Sequence, residues 1–199
     1  GGHAANPHMT VDACVVGTTV AQALQTIVSR NVNPIESAVL SVTALTAGST
    51  YNVIPETARL SGTIRTLSAS VRQSIAARVR ELCAGIASAY GAEIKVDIRD
   101  QFSLLVNHPQ QAAALADAAS AIVSANNVDR DPPPMMTSED FADILLARPG
   151  AYCFLGQGMG YALHNPRYAF NDAIIPVGAS ILARVALDRL RDCNGPDAA

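Results

Sequence analysis

The chain lacks the features that would place it in a membrane or on a nucleic acid. No run of about 18 apolar residues occurs among its 199 residues, and its N-terminus has neither the charged nor the apolar region of a signal peptide. Its 14 lysine and arginine residues are scattered and its net charge is -3, so no basic stripe offers a footprint for phosphate. These absences predict a cytoplasmic globular protein with no membrane or nucleic-acid partner.

Paired cysteines are also missing. The four cysteines stand far apart in the chain, at Cys14, Cys83, Cys153 and Cys193. Without CxxC spacing, the pattern argues against a disulfide framework and against a cysteine-based zinc site. Cys153 has no basic neighbour in sequence that would mark it as a nucleophile. Reduced thiols in a cytoplasmic protein are the simplest interpretation.

The hydrophobic pattern of residues 10–100 begins with a helix and a strand pair. Helical spacing runs from Thr10, the predicted N-cap, to about Arg30. Alternating β-forming residues then predict strands over 37–45 and 57–66. Because the connection between them is short, we expect the two strands to pair antiparallel.

A second helix and a third strand complete this half. Ser68 can cap a helix to about Tyr90, and Gly91 suits its C-terminal stop. Residues 93–98 alternate again and predict a strand. The order helix, strand, strand, helix, strand is that of a ferredoxin-like α+β sandwich without its first strand.

The pattern changes after about residue 106. It predicts helices over 109–126, 139–146 and 174–191, one short strand over 151–155, and a long loop over 156–171. A lone short strand cannot make a stable sheet. The second half is therefore expected to be incomplete by itself.

Two stretches place a histidine among small or turn-forming residues. Residues 1–8 read GGHAANPH, and residues 163–172 read LHNPRYAFND. Ligands often lie in loops at strand ends, which makes His164 a candidate metal ligand. Without their flanking motifs, His3 and His164 would each be interpreted as ordinary loop histidines, and His8 is expected to be structural.

Three further motifs lie between these two stretches: NVIP at 52–55, GTIRT at 62–66 and SEDF at 138–141. The guanidinium fork of Arg65 is matched to a carboxylate, although an ordinary surface salt bridge would equally explain an arginine here. Glu139 suits a helix N-terminus as a capping or dipole partner, or it lines a site.

Taken together, these five motifs in this order resemble the M20 metallopeptidase/amidohydrolase family, in the branch of hippurate hydrolases, N-acyl-amino-acid amidohydrolases and auxin-conjugate hydrolases. The resemblance covers nearly the whole chain and implies a protein with one α+β domain and part of an α/β domain. Residues 1–105 would form a ferredoxin-like lid, or dimerisation, domain that lacks its first strand. Residues 106–199 would be the C-terminal portion of a metal-dependent α/β catalytic domain.

The resemblance also implies roles for individual residues. His164 would bind one of two divalent metal ions, and a neutral imidazole suits zinc, manganese, cobalt or nickel. His3 would reach across a homodimer interface and donate a hydrogen bond to the substrate carbonyl. Asn52 and Arg65 would contact the substrate, and Glu139 would line the floor of the site without binding metal.

Part of the family's machinery is missing. An HxCGHD-like motif, an EExxxGA-like motif with the general-base glutamate, and another metal-binding histidine would all precede GGHAA. A catalytic metal needs about three protein ligands, so we expect this chain to be inactive alone, and its parent to hydrolyse the amide bond of N-acyl amino acids or related small peptides. The alternatives are a non-catalytic dimerisation or small-molecule-binding module and a poorly stable truncated product.

Overall fold

The computed structural model describes residues 1–193, with side chains described through residue 191. The thiol of Cys193 therefore lies outside the described side chains. The chain divides into two compact units. The first unit comprises residues 1–104 with 134–138, and the second comprises residues 105–133 with those from 139 onward.

The first unit contains two helices and two small sheets. Its elements are β1 (Gly2–His3), α1 (Ala13–Asn31), β2 (Ala38–Ala47), β3 (Val53–Ile54), β4 (Ala58–Thr66) and α2 (Ala69–Tyr90), with a 3-10 turn over Pro7–Met9. β1 pairs with β3 and β2 pairs with β4, both antiparallel. The β2–β4 register shifts between Val42 and Ala44. The predicted antiparallel pair is confirmed.

The predicted start of α1 is wrong by two residues. Asp12, not Thr10, is the N-cap, and its Oδ1 accepts hydrogen bonds from the backbone N of Cys14 (2.8 Å) and Val15 (3.2 Å). A carboxylate at this position satisfies two free amides and also suits the positive end of the helix dipole. The hydroxyl of Thr10 instead donates to the carbonyl of Pro7 at 3.0 Å.

Both predicted ends of α2 are confirmed. The Ser68 hydroxyl accepts a hydrogen bond from the backbone N of Val71 at 3.4 Å. At the other end Gly91 has φ 64°, a left-handed conformation that glycine adopts at little cost. Local capping chemistry alone therefore specifies the bounds of this helix.

The core of the first unit lies where α1 and α2 meet the β2–β4 sheet. Ile27 and Ile75 are 0% and 1% exposed, and Val20, Val79 and Cys83 are buried beside them. Removing an isoleucine side chain from water stabilises a fold by about 1.5–3 kcal/mol. The apolar faces read from the sequence thus form one continuous core.

The predicted third strand is wrong. Residues 93–98 pair with no strand, although Ile94, Val96 and Ile98 pack against the core with the expected alternation. A strand also requires ladder hydrogen bonds from a neighbour. In a ferredoxin-like order the last strand lies beside the first, and residues 1–193 contain no counterpart of that first strand.

The second unit is helical in its regular part. Its helices are α3 (Pro109–Val123), α4 (Phe141–Ala147) and α5 (Ile175–Cys193), with 3-10 turns at Ala125–Asn127 and Asp172–Ile174. α3 packs against α5, and Ala118, Ala142, Leu145 and Ile181 are buried.

The predicted strand over 151–155 is also wrong. The side chain of Asn107 bonds both backbone groups of Tyr152: Nδ2 donates to its carbonyl at 2.8 Å, and Oδ1 accepts from its N at 2.7 Å. One amide side chain thus takes the place of a strand neighbour. The described chain is α+β with two small sheets, and none of its described helices is long and apolar enough to cross a membrane.

Candidate functional site

Pairing of β1 with β3 brings His3 and Asn52 together. His3 lies opposite Val53, and the backbone N of Ala4 donates to the carbonyl of Asn52 at 3.1 Å. Gly1 permits this close approach, since a Cβ there would lie 2.6 Å from the carbonyl oxygen of Ile54. Forty-nine positions separate the two residues in sequence, so spacing alone does not predict their proximity.

The imidazole of His3 has a defined tautomer. Its Nδ1 accepts a hydrogen bond from the backbone N of Ala5 at 3.1 Å. In a neutral ring the proton is then on Nε2. The side chain is exposed, so the Nε2–H group can donate to a bound oxygen.

Asn52 is held by its neighbour in the same turn. Its Oδ1 accepts from the hydroxyl of Thr50 at 3.1 Å, and the residue is exposed. This bond orients the amide so that its Nδ2 donor remains available among the described contacts. His3 and Asn52 therefore present two hydrogen-bond donors in one small region of the first unit.

Arg65 lies at the other end of the strand pair. It is half-buried on β4 opposite Val39, and its Nη1 donates to the carbonyl of Ile64 at 3.1 Å. Arg65 forms no ion pair with the side chains described through residue 191, which weakens the salt-bridge interpretation. Arg65 is seven positions beyond Ala58, the first residue of β4, and at ~3.3 Å per residue this is a length of about 23 Å along the strand.

His164 is an exposed loop residue with an unusual backbone. Its φ is 67°, one of two positive values among the described non-glycine residues. Turn hydrogen bonds surround it, from the N of Asn165 to the carbonyl of Ala162 (3.1 Å) and from the N of Tyr168 to the carbonyl of Asn165 (2.9 Å). A left-handed histidine persists where its surroundings impose it, as at many ligand sites.

Glu139 is paired with a tyrosine that the sequence did not single out. Burial raises the pKa of Tyr152, and the charge of Glu139 and a hydrogen bond to it add to the rise. Tyr152 also contacts the rings of Phe141 and Phe154, at centroid distances of 5.8 and 5.4 Å. Asp140 occupies the N-cap of α4 without a side-chain capping bond. The structure thus gives Glu139 a tyrosine partner.

No group of three or more histidine, cysteine, aspartate or glutamate residues in the described chain could hold a metal ion. The exposed imidazole of His164 has the donor chemistry for one metal–ligand bond. Because a catalytic site uses about three protein ligands, the described residues do not build a metal centre by themselves.

Comparison with known proteins assigns the fold and the family. The family model for peptidase family M20/M25/M40 matches residues 1–188. The structure also resembles the crystal structure of the Bacillus subtilis YXEP protein, a dinuclear metal binding peptidase from the M20 family. The TM-score is 0.68 at 26% identity, and the match covers 90% of this chain and 46% of that one.

Similarity to curated relatives supports the same family. The chain is 39% identical over 193 residues to the N-acetyldiaminopimelate deacetylase of Streptococcus suis, covering 96% of this chain and 49% of the relative. It is 41% identical over 177 residues to the enzyme of that name from Streptococcus sanguinis, covering 88% and 46%. The chain spans about half the length of the curated relatives it matches. By a family match over nearly its whole length, the chain belongs to peptidase family M20/M25/M40.

Proposed function

We propose that the whole protein hydrolyses the amide bond of N-acyl amino acids or related small peptides, with His164 as one ligand of a divalent metal centre. Similarity to N-acetyldiaminopimelate deacetylases supports the reaction class. The observation that carries the proposal is the left-handed, exposed His164 in its turn-bounded loop. Free Cys14, Cys83 and Cys153 fit the cytoplasmic location that we also propose.

The metal site itself needs residues beyond this sequence. His164 supplies one imidazole, for which zinc, manganese, cobalt and nickel are all suited. Two such ions per site would supply an activated water and polarise the amide carbonyl. The catalytic base and the remaining ligands would also come from outside these 199 residues, which is why we expect the chain alone to be inactive.

His3 would stabilise charge on the substrate carbonyl oxygen. Its Nε2–H is available because Nδ1 is occupied by the Ala5 amide. A positioned donor of this kind contributes most when it is aimed at the oxygen as negative charge develops. Asn52, held beside it, would donate to the same substrate.

The separation between Arg65 and the His3–Asn52 region supports a site shared between two copies. About 23 Å of β4 lies between Arg65 and Ala58 at ~3.3 Å per residue, and Ala58 is the end of the strand that follows the Asn52 turn in sequence. This length exceeds that of a small N-acyl amino acid. This length favours a site in which the Arg65 and the His3 that contact one substrate come from different copies. We infer a homodimer, formed by the first unit acting as lid, in which one copy contributes Arg65 and the other contributes His3 and Asn52.

The test is metal-dependent turnover of hippurate and N-acetyl amino acids by the whole protein, with zinc, manganese, cobalt or nickel added. His164→Ala should lower kcat/KM by more than about 100-fold, because even outer-shell partners of a metal cost 10–100-fold. His8→Ala, an exposed histidine in a 3-10 turn, is the matched control and should retain activity.

Two results would contradict the proposal. Full turnover in His164→Ala would remove His164 from the ligand set. Turnover by the 199-residue chain alone would show that the remaining ligands lie within it. Binding of an acyl amino acid by the whole protein without metal or hydrolysis would instead favour a non-catalytic binding module.

A further inference from the structure

The loop that carries His164 is closed at its base by a pair of side chains. The backbone N of Asn171 donates to Oε1 of Gln157 at 3.1 Å. The Nδ2 of Asn171 donates to the backbone carbonyl of Gln157, also at 3.1 Å. These two bonds join residues 14 positions apart, so they fix the distance between the loop ends.

We call the two bonds between Gln157 and Asn171 the clamp, and a third contact extends it into the loop. The hydroxyl of Tyr168 donates to Oε1 of Gln157 at 3.5 Å, a longer and weaker bond than the other two. The backbone N of Tyr168 in turn donates to the carbonyl of Asn165, directly after His164. Gln157 and Tyr168 are both half-buried within a loop that is otherwise mostly exposed.

The clamp explains how a histidine is kept in the left-handed region. No glycine occupies position 164, so the backbone at φ 67° is held by its surroundings rather than by intrinsic preference. Loosening the loop base would let His164 relax toward the right-handed or extended region. That rotation would redirect its imidazole.

We propose that Gln157 is a positioning residue for the His164 imidazole and that it acts through Oε1. The inference rests on the proposed role of His164 as a metal ligand. Oε1 is chosen because it accepts both of the bonds that the Gln157 side chain makes among the described contacts. Partners that orient a ligand typically affect metal affinity by about 10–100-fold.

This detail defines a matched pair of variants. Gln157→Glu keeps an acceptor oxygen in place, whereas Gln157→Met keeps the length of the side chain and removes the acceptor. In the whole protein, we expect Gln157→Met to weaken Co²⁺ affinity about tenfold or more and to change the visible absorption spectrum of bound Co²⁺. Gln157→Glu should bind Co²⁺ as the wild type does.

Hydrogen exchange supplies a readout that needs no metal. The backbone amides of Asn165 and Tyr168 should exchange faster in Gln157→Met than in the wild type or in Gln157→Glu. The amides of α3, a helix of the same unit as Gln157, should be unchanged, which would show that Gln157→Met is folded. Equal Co²⁺ affinity and equal loop exchange in the two variants would overturn the role of Oε1.

His164→Ala separates the failure of this inference from that of the proposed function. If His164→Ala leaves the Co²⁺ spectrum unchanged, the proposed metal ligand is wrong and the inference falls with it. If His164→Ala changes the spectrum while Gln157→Met does not, only the positioning role of Gln157 is overturned.

Discussion

Among the described residues, the first unit buries seven apolar side chains and the second buries four. In the first unit, Ile27 on α1 and Ile75 on α2 are almost fully buried over a two-stranded sheet. In the second unit, α5 buries Ile181 but leaves Leu182 67% exposed, and Leu146 on α4 is 75% exposed. A large exposed apolar patch often marks a surface that binds a partner. The first unit forms a core around its two buried isoleucines, and we expect the helices of the second unit to be covered by further protein in the whole protein.

The largest expected effect is on the first core. Ile75→Ala should lower the free energy of unfolding by about 2–5 kcal/mol, because it leaves a cavity in a closed core. Leu182→Ala in the 199-residue chain should change it by less than about 0.5 kcal/mol, as exposed substitutions do. Urea denaturation followed by circular dichroism measures both.

The same Leu182→Ala substitution should cost more in the whole protein than in the 199-residue chain. There we expect Leu182 to be covered, so Leu182→Ala should cost about 2 kcal/mol or more. A cost below about 0.5 kcal/mol in both forms would mean that this face of α5 stays exposed in the whole protein, and the comparison of the two units would fail.

A smaller loss of stability is expected at Asn107, whose side chain bonds Tyr152 where a neighbouring strand would otherwise do so. Asn107→Ala removes both hydrogen bonds to Tyr152 and should destabilise the second unit by about 1–3 kcal/mol. Asn107→Asp keeps the acceptor for the Tyr152 N and loses only the donor, so its cost should be smaller. Hydrogen exchange at the Tyr152 amide reports the difference, and unchanged protection in Asn107→Ala would show that other contacts hold this segment.

Local chemistry made much of the first unit predictable. α2 begins after Ser68 and ends at Gly91 because hydroxyl capping and a left-handed glycine act within a few residues. At α1 two capping candidates lie close together, and the carboxylate of Asp12 occupies the cap where the sequence favoured Thr10. The error is small because both candidates lie at the start of the same apolar pattern.

Features that depend on distant neighbours were not predictable. Residues 93–98 have the alternation of a strand but pair with none, and Tyr152 bonds a side chain where a strand was expected. The motifs identified His3, Asn52, Arg65 and His164 by resemblance. The contact between the His3 strand and the Asn52 turn, and the position of Arg65 next to the last residue of β4, came only from the structure.

Because His3 is proposed to reach across the homodimer interface to a substrate bound at the metal centre, His3 of one copy should act with the metal ligand His164 of the other. The direct measurement is amide hydrolysis by a mixture of two inactive whole-protein variants, His3→Ala and His164→Ala, after dissociation and reassociation. A shared site predicts recovery of about a quarter of wild-type activity, since half of the randomly formed two-fold dimers carry one intact site. No recovery, with heterodimers shown to be present, would place both histidines in the site of a single chain and contradict the account.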